Sequence, residues 1–184
     1  NVQIASTGAT TQNVATVSST VNPYSLTVSG LTASNKPYDG TTTATLNGTA
    51  TLSPGVNSDV ISLSGTAVGA FTSAEAGNGK TVTISGLTLT GTNSTSYSLT
   101  TPTTTANITQ VGLTITGISI SNKTYDGTAT ASITGTASYS GLVNSENLAI
   151  TGSPVATFSD ANVADSKTVT VSGYTAPSAN YTVT

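Results

Sequence analysis

An eight-residue string occurs twice in this chain, and its recurrence constrains the fold more than any other feature. Ser34-Asn35-Lys36-Pro37-Tyr38-Asp39-Gly40-Thr41 returns as Ser121-Asn122-Lys123-Thr124-Tyr125-Asp126-Gly127-Thr128, 87 residues later. The same offset carries Leu26 to Leu113, Phe71 to Phe158, Lys80 to Lys167 and Gly86 to Gly173. Tyr97 meets Tyr181 once a three-residue deletion in the second copy is allowed for. A fixed period means one folding unit used twice. Two copies account for most of the 184 residues, and the four lysines fall two to a copy.

Within a copy the apolar period is two. Tyr24, Leu26 and Val28 alternate with Ser25, Thr27 and Ser29, and Val82 and Ile84 sit between Thr81, Thr83 and Ser85. Leu87 and Leu89, Tyr97 and Leu99, and Ala106 and Ile108 continue the pattern. The second copy repeats it at Leu113 and Ile115, Val169 and Val171, and Tyr181 and Val183. Such alternation is the mark of a half-buried antiparallel strand. Asp39-Gly40, Asn47-Gly48, Pro54-Gly55, Gly77-Asn78-Gly79 and Gly91 read as turns between the runs. The chain is therefore expected to be all-β: two tandem Ig-like antiparallel β-sandwich domains arranged as a rod. Their joint is expected near 109–111, with no flexible linker between them.

The chain is out of phase with its own repeat. The first copy ends in a strand-like run, Thr101–Gln110, that carries Ala106 and Ile108. The second copy stops at Tyr181-Thr182-Val183-Thr184, and that run has no counterpart. At the other end, Thr101–Gln110 aligns with Val14–Pro23, upstream of the first copy. The expected organisation is an N-terminal extension over 1–23 holding a candidate donor strand, a first sandwich over 24–110, and a second over 111–184 lacking its last strand. The donor positions are Val14, Thr16, Ser18 and Val21. A sandwich short of one strand exposes unpaired backbone groups and an apolar groove. An extended segment of another copy fills such a groove by strand addition, and a head-to-tail contact of this kind does not close.

Composition excludes several function classes. There is no His and no Cys, so imidazole or thiolate metal sites and the corresponding catalytic groups cannot form. Four lysines against seven acids, with no arginine, leave no surface for tracking phosphates, and no nucleic-acid partner is expected. No apolar run approaches the roughly 20 residues of a membrane-spanning helix. Thr and Ser exceed a third of the chain, so hydroxyls rather than charges wet its surface. No cofactor and no enzymatic activity are expected.

The Asn-Lys-x-Tyr-Asp-Gly-Thr core at 35–41 and 122–128, with Gly79-Lys80-Thr81-Val82-Thr83 and Ser166-Lys167-Thr168-Val169-Thr170, resembles the YDG-type repeat. That repeat occurs in tandem in large secreted bacterial surface proteins, including filamentous-haemagglutinin-like adhesins. The resemblance implies an extracellular module on the bacterial cell surface that serves as stalk or spacer, and it brings no catalytic residues. The expected function is that of a non-enzymatic structural module of a surface fibre. It is either a filament subunit assembled by donation of the N-terminal strand or a stalk segment of a large adhesin. The expected partners are copies of itself, head to tail, or neighbouring repeats. A glycan- or surface-binding adhesin module is the alternative.

Candidate side chains are few. Lys36, Tyr38, Asp39 and Gly40, with Lys123, Tyr125, Asp126 and Gly127, read as a structural turn. In such a turn Asp bonds its downstream backbone, Gly supplies positive φ and Tyr packs its ring. Asp160, Asn162 and Asp165 are weak calcium candidates, because an oxygen-rich loop suits a hard cation. A Lys–Asn isopeptide crosslink is also conceivable, since an acid recurs at Asp59 and Glu146, but Asn107 on the last strand maps onto Thr20 and the acceptor does not repeat.

Overall fold

A computed structural model describes residues 19–184. The first repeat contributes β1 (Tyr24–Ala33), β2 (Lys36–Pro37), β3 (Thr43–Ala44), β4 (Leu46–Leu52), β5 (Ser62–Phe71), β6 (Gly77–Thr90), β7 (Tyr97–Thr100) and β8 (Thr103–Thr109). The second contributes β9 (Val111–Ile120), β10 (Thr130–Ala131), β11 (Ile133–Ser140), β12 (Thr151–Phe158), β13 (Val169–Thr175) and β14 (Tyr181–Val183). Helical structure among the described residues amounts to two short 3-10 turns, Ser94–Ser96 and Val143–Ser145.

The first repeat has a sheet ordered β4-β1-β7 and a five-stranded sheet ordered β2-β8-β6-β5-β3. The second repeat has β11-β9-β14 and β10-β12-β13. Antiparallel ladders dominate, as the alternation predicts. Among the described residues three pairs are parallel: β1 with β7, β9 with β14, and β2 with β8. Inward positions build the core. Leu26, Val82, Ile84, Ile108, Leu113 and Tyr181 are all under 2 % exposed or close to it.

Two expectations about turns are corrected. Asn47-Gly48 lies inside β4, where the β1–β4 register slips. Gly30 and Gly48 face each other there at φ +84° and +92°, and a Cβ on Gly30 would stand 2.3 Å from the Thr49 carbonyl oxygen. The sequence offers a turn-like dipeptide, but the partner strand continues the ladder through a bulge instead. Gly77-Asn78-Gly79 likewise opens β6 rather than separating strands, because β8 runs alongside and pairs with it. Leu87 and Leu89 belong to that same 14-residue strand.

Only Gln110 separates β8 from β9. A single apolar cluster crosses this joint. It contains Tyr38, Ala44, Phe71, Val82, Ala106 and Ile108 from the first repeat, with Leu113 and Tyr181 from the second.

Candidate functional site

The turn motif has the same internal geometry in both repeats. Lys36 Nζ donates to Asp39 Oδ1 at 2.7 Å and to the Thr41 carbonyl at 2.7 Å, while the Thr41 amide donates to Asp39 Oδ1 at 2.8 Å. Lys123, Asp126 and Thr128 repeat these bonds at 2.8, 2.7 and 2.9 Å. Each ammonium also stands over a phenyl ring, Phe71 at 5.6 Å and Phe158 at 5.8 Å. The lysine at Asp39 holds that carboxyl below its ordinary value. Lys123 does the same for Asp126, aided by the Thr128 amide, and takes it to about 2. The motif is thus a self-contained Asx-type turn locked by its own lysine.

The two tyrosines of the motif have different fates. Tyr38 is 9 % exposed, whereas Tyr125 is 64 % exposed. Tyr38 leaves its own repeat: its hydroxyl donates to Glu146 Oε1 at 2.8 Å, and its ring lies edge-on to Tyr181, 5.5 Å between centroids at 80°. Tyr181 donates to the other carboxylate oxygen, Oε2, at 3.0 Å and accepts the Val143 amide at 3.0 Å. Asn144 Nδ2 donates to the Asp39 carbonyl at 2.9 Å, and the Ala76 amide donates to Asn180 Oδ1 at 2.8 Å. One carboxylate therefore receives a tyrosine from each repeat. The bond to Glu146, with burial, pushes Tyr38 up to about 12. Burial, opposed in part by the bond from the Val143 amide and aided by Glu146, also raises Tyr181. Sequence reasoning placed Tyr38 inside its own turn and missed this joint. The signal was present in the acid recurring at Asp59 and Glu146 and the tyrosine recurring at Tyr97 and Tyr181.

The second feature is the strand β8, which occurs once among the described residues. In the first repeat β8 lies between β2 and β6 and delivers Ala106 and Ile108 to the core at 5 % and 1 % exposure. Lys36–Pro37 is a strand only because it pairs with Ile108 and Thr109. No counterpart of β8 is found among the described residues of the second repeat. Lys123-Thr124 forms no strand, and β13 begins only at Val169, whereas β6 begins five equivalent positions earlier. Phe71, Val82 and Ile84 are buried, but Phe158, Val169 and Val171 are only half-buried. Val163, the counterpart of the half-buried Ala76, is 84 % exposed.

Of the candidate donor positions, Val14, Thr16 and Ser18 lie outside the described residues. Val21 precedes β1, outside any strand, and is 93 % exposed. The burial of β8 shows which phase of such a strand faces inward. Val21 aligns with buried Ile108, while Val14, Thr16 and Ser18 align with exposed Thr101, Thr103 and Thr105. Ser19 aligns with buried Ala106.

The calcium candidates are organised about a lysine. Lys167 Nζ donates to Asp160 Oδ1 and, at 2.8 Å, to the Asn162 carbonyl, and the Asn162 amide donates to Asp160 Oδ1 at 2.7 Å. An ammonium already faces the oxygens a cation would use, and Asp165 is exposed outside this network. Asn107 accepts from the Gly79 amide at 2.7 Å, while Lys36 and Lys80 are bound to Asp39 and Ser73, so no Lys–Asn pair is assembled at Asn107 among the described residues. Two shallow crevices, one beside Ala76 and Gln110 and one beside Ala131 and Pro154, contain no aromatic lining for a sugar.

No curated protein and no solved structure matches the chain. The YDG domain family model matches residues 22–106 and again 109–184. With the lysine-locked turn present in both segments, the chain belongs to the YDG domain family as two tandem copies.

Proposed function

We propose that the chain is a non-enzymatic structural module of an extracellular bacterial surface fibre. Successive copies join head to tail by donation of the segment around Val14–Pro23. The observation that carries this reading is the asymmetry at β8. Among the described residues β8 covers the first repeat, and no strand lies beside Lys123-Thr124 and β13 at the matching place in the second. The slot presents unpaired backbone on two sides and half-buried Phe158, Val169 and Val171 beneath. An incoming strand gains main-chain bonds from both neighbours and buries apolar side chains at alternate positions.

The aligned segment has the right phase for this. Val17 and Val21 take the places of Thr104 and Ile108, with Ser19 at the place of Ala106. It also has the right connection. In the first repeat β8 leads into β9 through one residue, and Pro23 leads directly into β1, the counterpart of β9. A donated strand would therefore deliver its own first repeat onto the acceptor as the second repeat sits on the first. The contact is heterologous and propagates.

Negative-stain electron microscopy of the intact chain and of a chain lacking Asn1–Pro23 tests this. Filaments are expected from the intact chain and none from the truncated one. Monomers in both samples would overturn strand donation and leave the stalk segment of a longer adhesin as the better reading.

A further inference from the structure

The joint between the repeats is built from parts that each repeat carries at both of its ends. The forward part is the motif tyrosine and the carbonyl that follows it, Tyr38 and Asp39. The receiving part is the tyrosine–acid pair with its neighbouring asparagine, Tyr181, Glu146 and Asn144. Both parts occur once more in this chain, each facing away from the internal joint.

The second forward part is Tyr125 with Asp126. Its ring is 64 % exposed and its hydroxyl has no partner among the described residues. The surroundings are equally open. A Cβ placed on Gly40 would meet Asn144 Nδ2 of the second repeat at 2.6 Å, whereas one on Gly127 would meet nothing within 4 Å. The second receiving part is Tyr97 with Asp59. Tyr97 donates to Asp59 Oδ2 at 2.7 Å and accepts the Val56 amide at 3.1 Å, as Tyr181 does with Glu146 and Val143. The loop carrying these groups keeps its backbone. Asn57 and Ser58 have φ 54° and 60°, and their counterparts Asn144 and Ser145 have 51° and 58°.

We infer that Tyr125 of one copy docks into the Tyr97–Asp59 socket of a second copy, reproducing the Tyr38–Glu146–Tyr181 contact between molecules. The Tyr125 hydroxyl donates to the Asp59 carboxylate, and the Asn57 amide group reaches the Asp126 carbonyl. The occupant is a second copy because the socket chemistry that receives Tyr38 is repeated on this chain's own first repeat, at Tyr97 and Asp59. This inference rests on the head-to-tail reading above, but it uses different residues from the donated strand.

Two groups make this socket tighter than the internal one. Tyr24, where the second repeat has Val111, lies edge-on to Tyr97 with 6.0 Å between centroids at 79°. Asn93 Nδ2 donates to Asp59 Oδ1 at 3.0 Å. An incoming tyrosine displaces the half-exposed Tyr24 ring and shares the carboxylate with Asn93. The contact is consequently weak on its own and gains from the high effective concentration that a second, strand-mediated link supplies.

Sedimentation across a concentration series tests this with the intact chain, Tyr125→Ala, Tyr24→Val and the chain lacking Asn1–Pro23. Tyr125 is exposed, so its replacement leaves the fold in place. Tyr125→Ala is expected to raise the dissociation constant for self-association at least tenfold. Tyr24→Val, which recreates the internal socket, is expected to lower it severalfold. Association of Tyr125→Ala equal to that of the intact chain would overturn the inference. If that happens while truncation abolishes assembly, strand donation stands without the tyrosine contact. If Tyr125→Ala abolishes association and the truncated chain still self-associates, the tyrosine contact stands and strand donation falls. No association of any chain at millimolar concentration would overturn both.

Discussion

Replacing Ile108 with aspartate is expected to prevent the first repeat from folding. Ile108 is 1 % exposed and sits at the centre of the cluster shared by both repeats. Removing a buried aliphatic side chain costs about 2–5 kcal/mol. An unpaired carboxylate in the same place adds several more, or is protonated at a comparable cost. Together these approach the roughly 5–15 kcal/mol that holds an ordinary domain. Because Leu113 and Tyr181 belong to the same cluster, the second repeat is expected to lose stability with the first. Urea unfolding followed by circular dichroism checks this. Thr105→Asp, on the exposed face of the same strand, serves as control and should change stability by no more than about 0.5 kcal/mol. A mild effect of Ile108→Asp would mean that β8 is dispensable, and the proposal of strand addition at the second repeat would lose its support.

Tyr38→Ala is expected to uncouple the repeats. It removes a large buried ring, at about 3–5 kcal/mol, and leaves Glu146 Oε1 without its donor. Thermal unfolding should split from one transition into two. Tyr38→Phe keeps the ring and loses only the bond to a carboxylate, worth about 1.5 kcal/mol at a half-buried site. The hydroxyl also sets an alkaline limit. Tyr38 is raised from 10.0 to about 12, chiefly by its bond to Glu146 and by burial. A raised value favours the protonated hydroxyl in the folded chain. Its stabilising contribution is therefore complete below pH 10 and is lost as the pH rises through 12. The joint should loosen between those limits, and Tyr38→Phe should show a smaller loss over the same range. An unchanged melting temperature from pH 9 to 12 in the unsubstituted chain would contradict this.

Much of this fold was legible in the residues, for a simple reason. Strands that present one face to a core leave a period of two, and Leu26/Val28, Val82/Ile84 and Ala106/Ile108 display it without interruption. The 87-residue offset pairs Lys36 with Lys123 and Asp39 with Asp126, and both copies build the same lysine-locked turn. Features that depend on a partner strand were not legible. Asn47-Gly48 has the composition of a hairpin turn, and only the neighbouring β1 shows that it is a bulge. The short β2 strand exists because β8 lies beside it, while the same Asn-Lys string in the second repeat stays unpaired. Val14, Thr16 and Ser18 lie outside the described residues, and abundant threonine there blurs the contrast between inward and outward positions. The tyrosine–glutamate–tyrosine joint was hidden for a further reason. Tyr38 and Glu146 are 108 residues apart, and the recurring Asp59/Glu146 and Tyr97/Tyr181 mark only the receiving half of the joint, not the tyrosine that enters it.

Hydrogen exchange at 167–170 measures strand donation most directly. These residues are the counterparts of Lys80–Thr83, which pair with β8 in the first repeat. A chain lacking Asn1–Pro23 would be mixed with a synthetic peptide of Val14–Pro23, with the same peptide carrying Val21→Asp, and with a peptide of Thr101–Gln110. Slowed exchange at 167–170 with the first and third peptides, and none with the second, is the expected result. Equal exchange with and without Val14–Pro23, while Thr101–Gln110 protects, would show that the slot accepts a strand but that the N-terminal segment is not its donor.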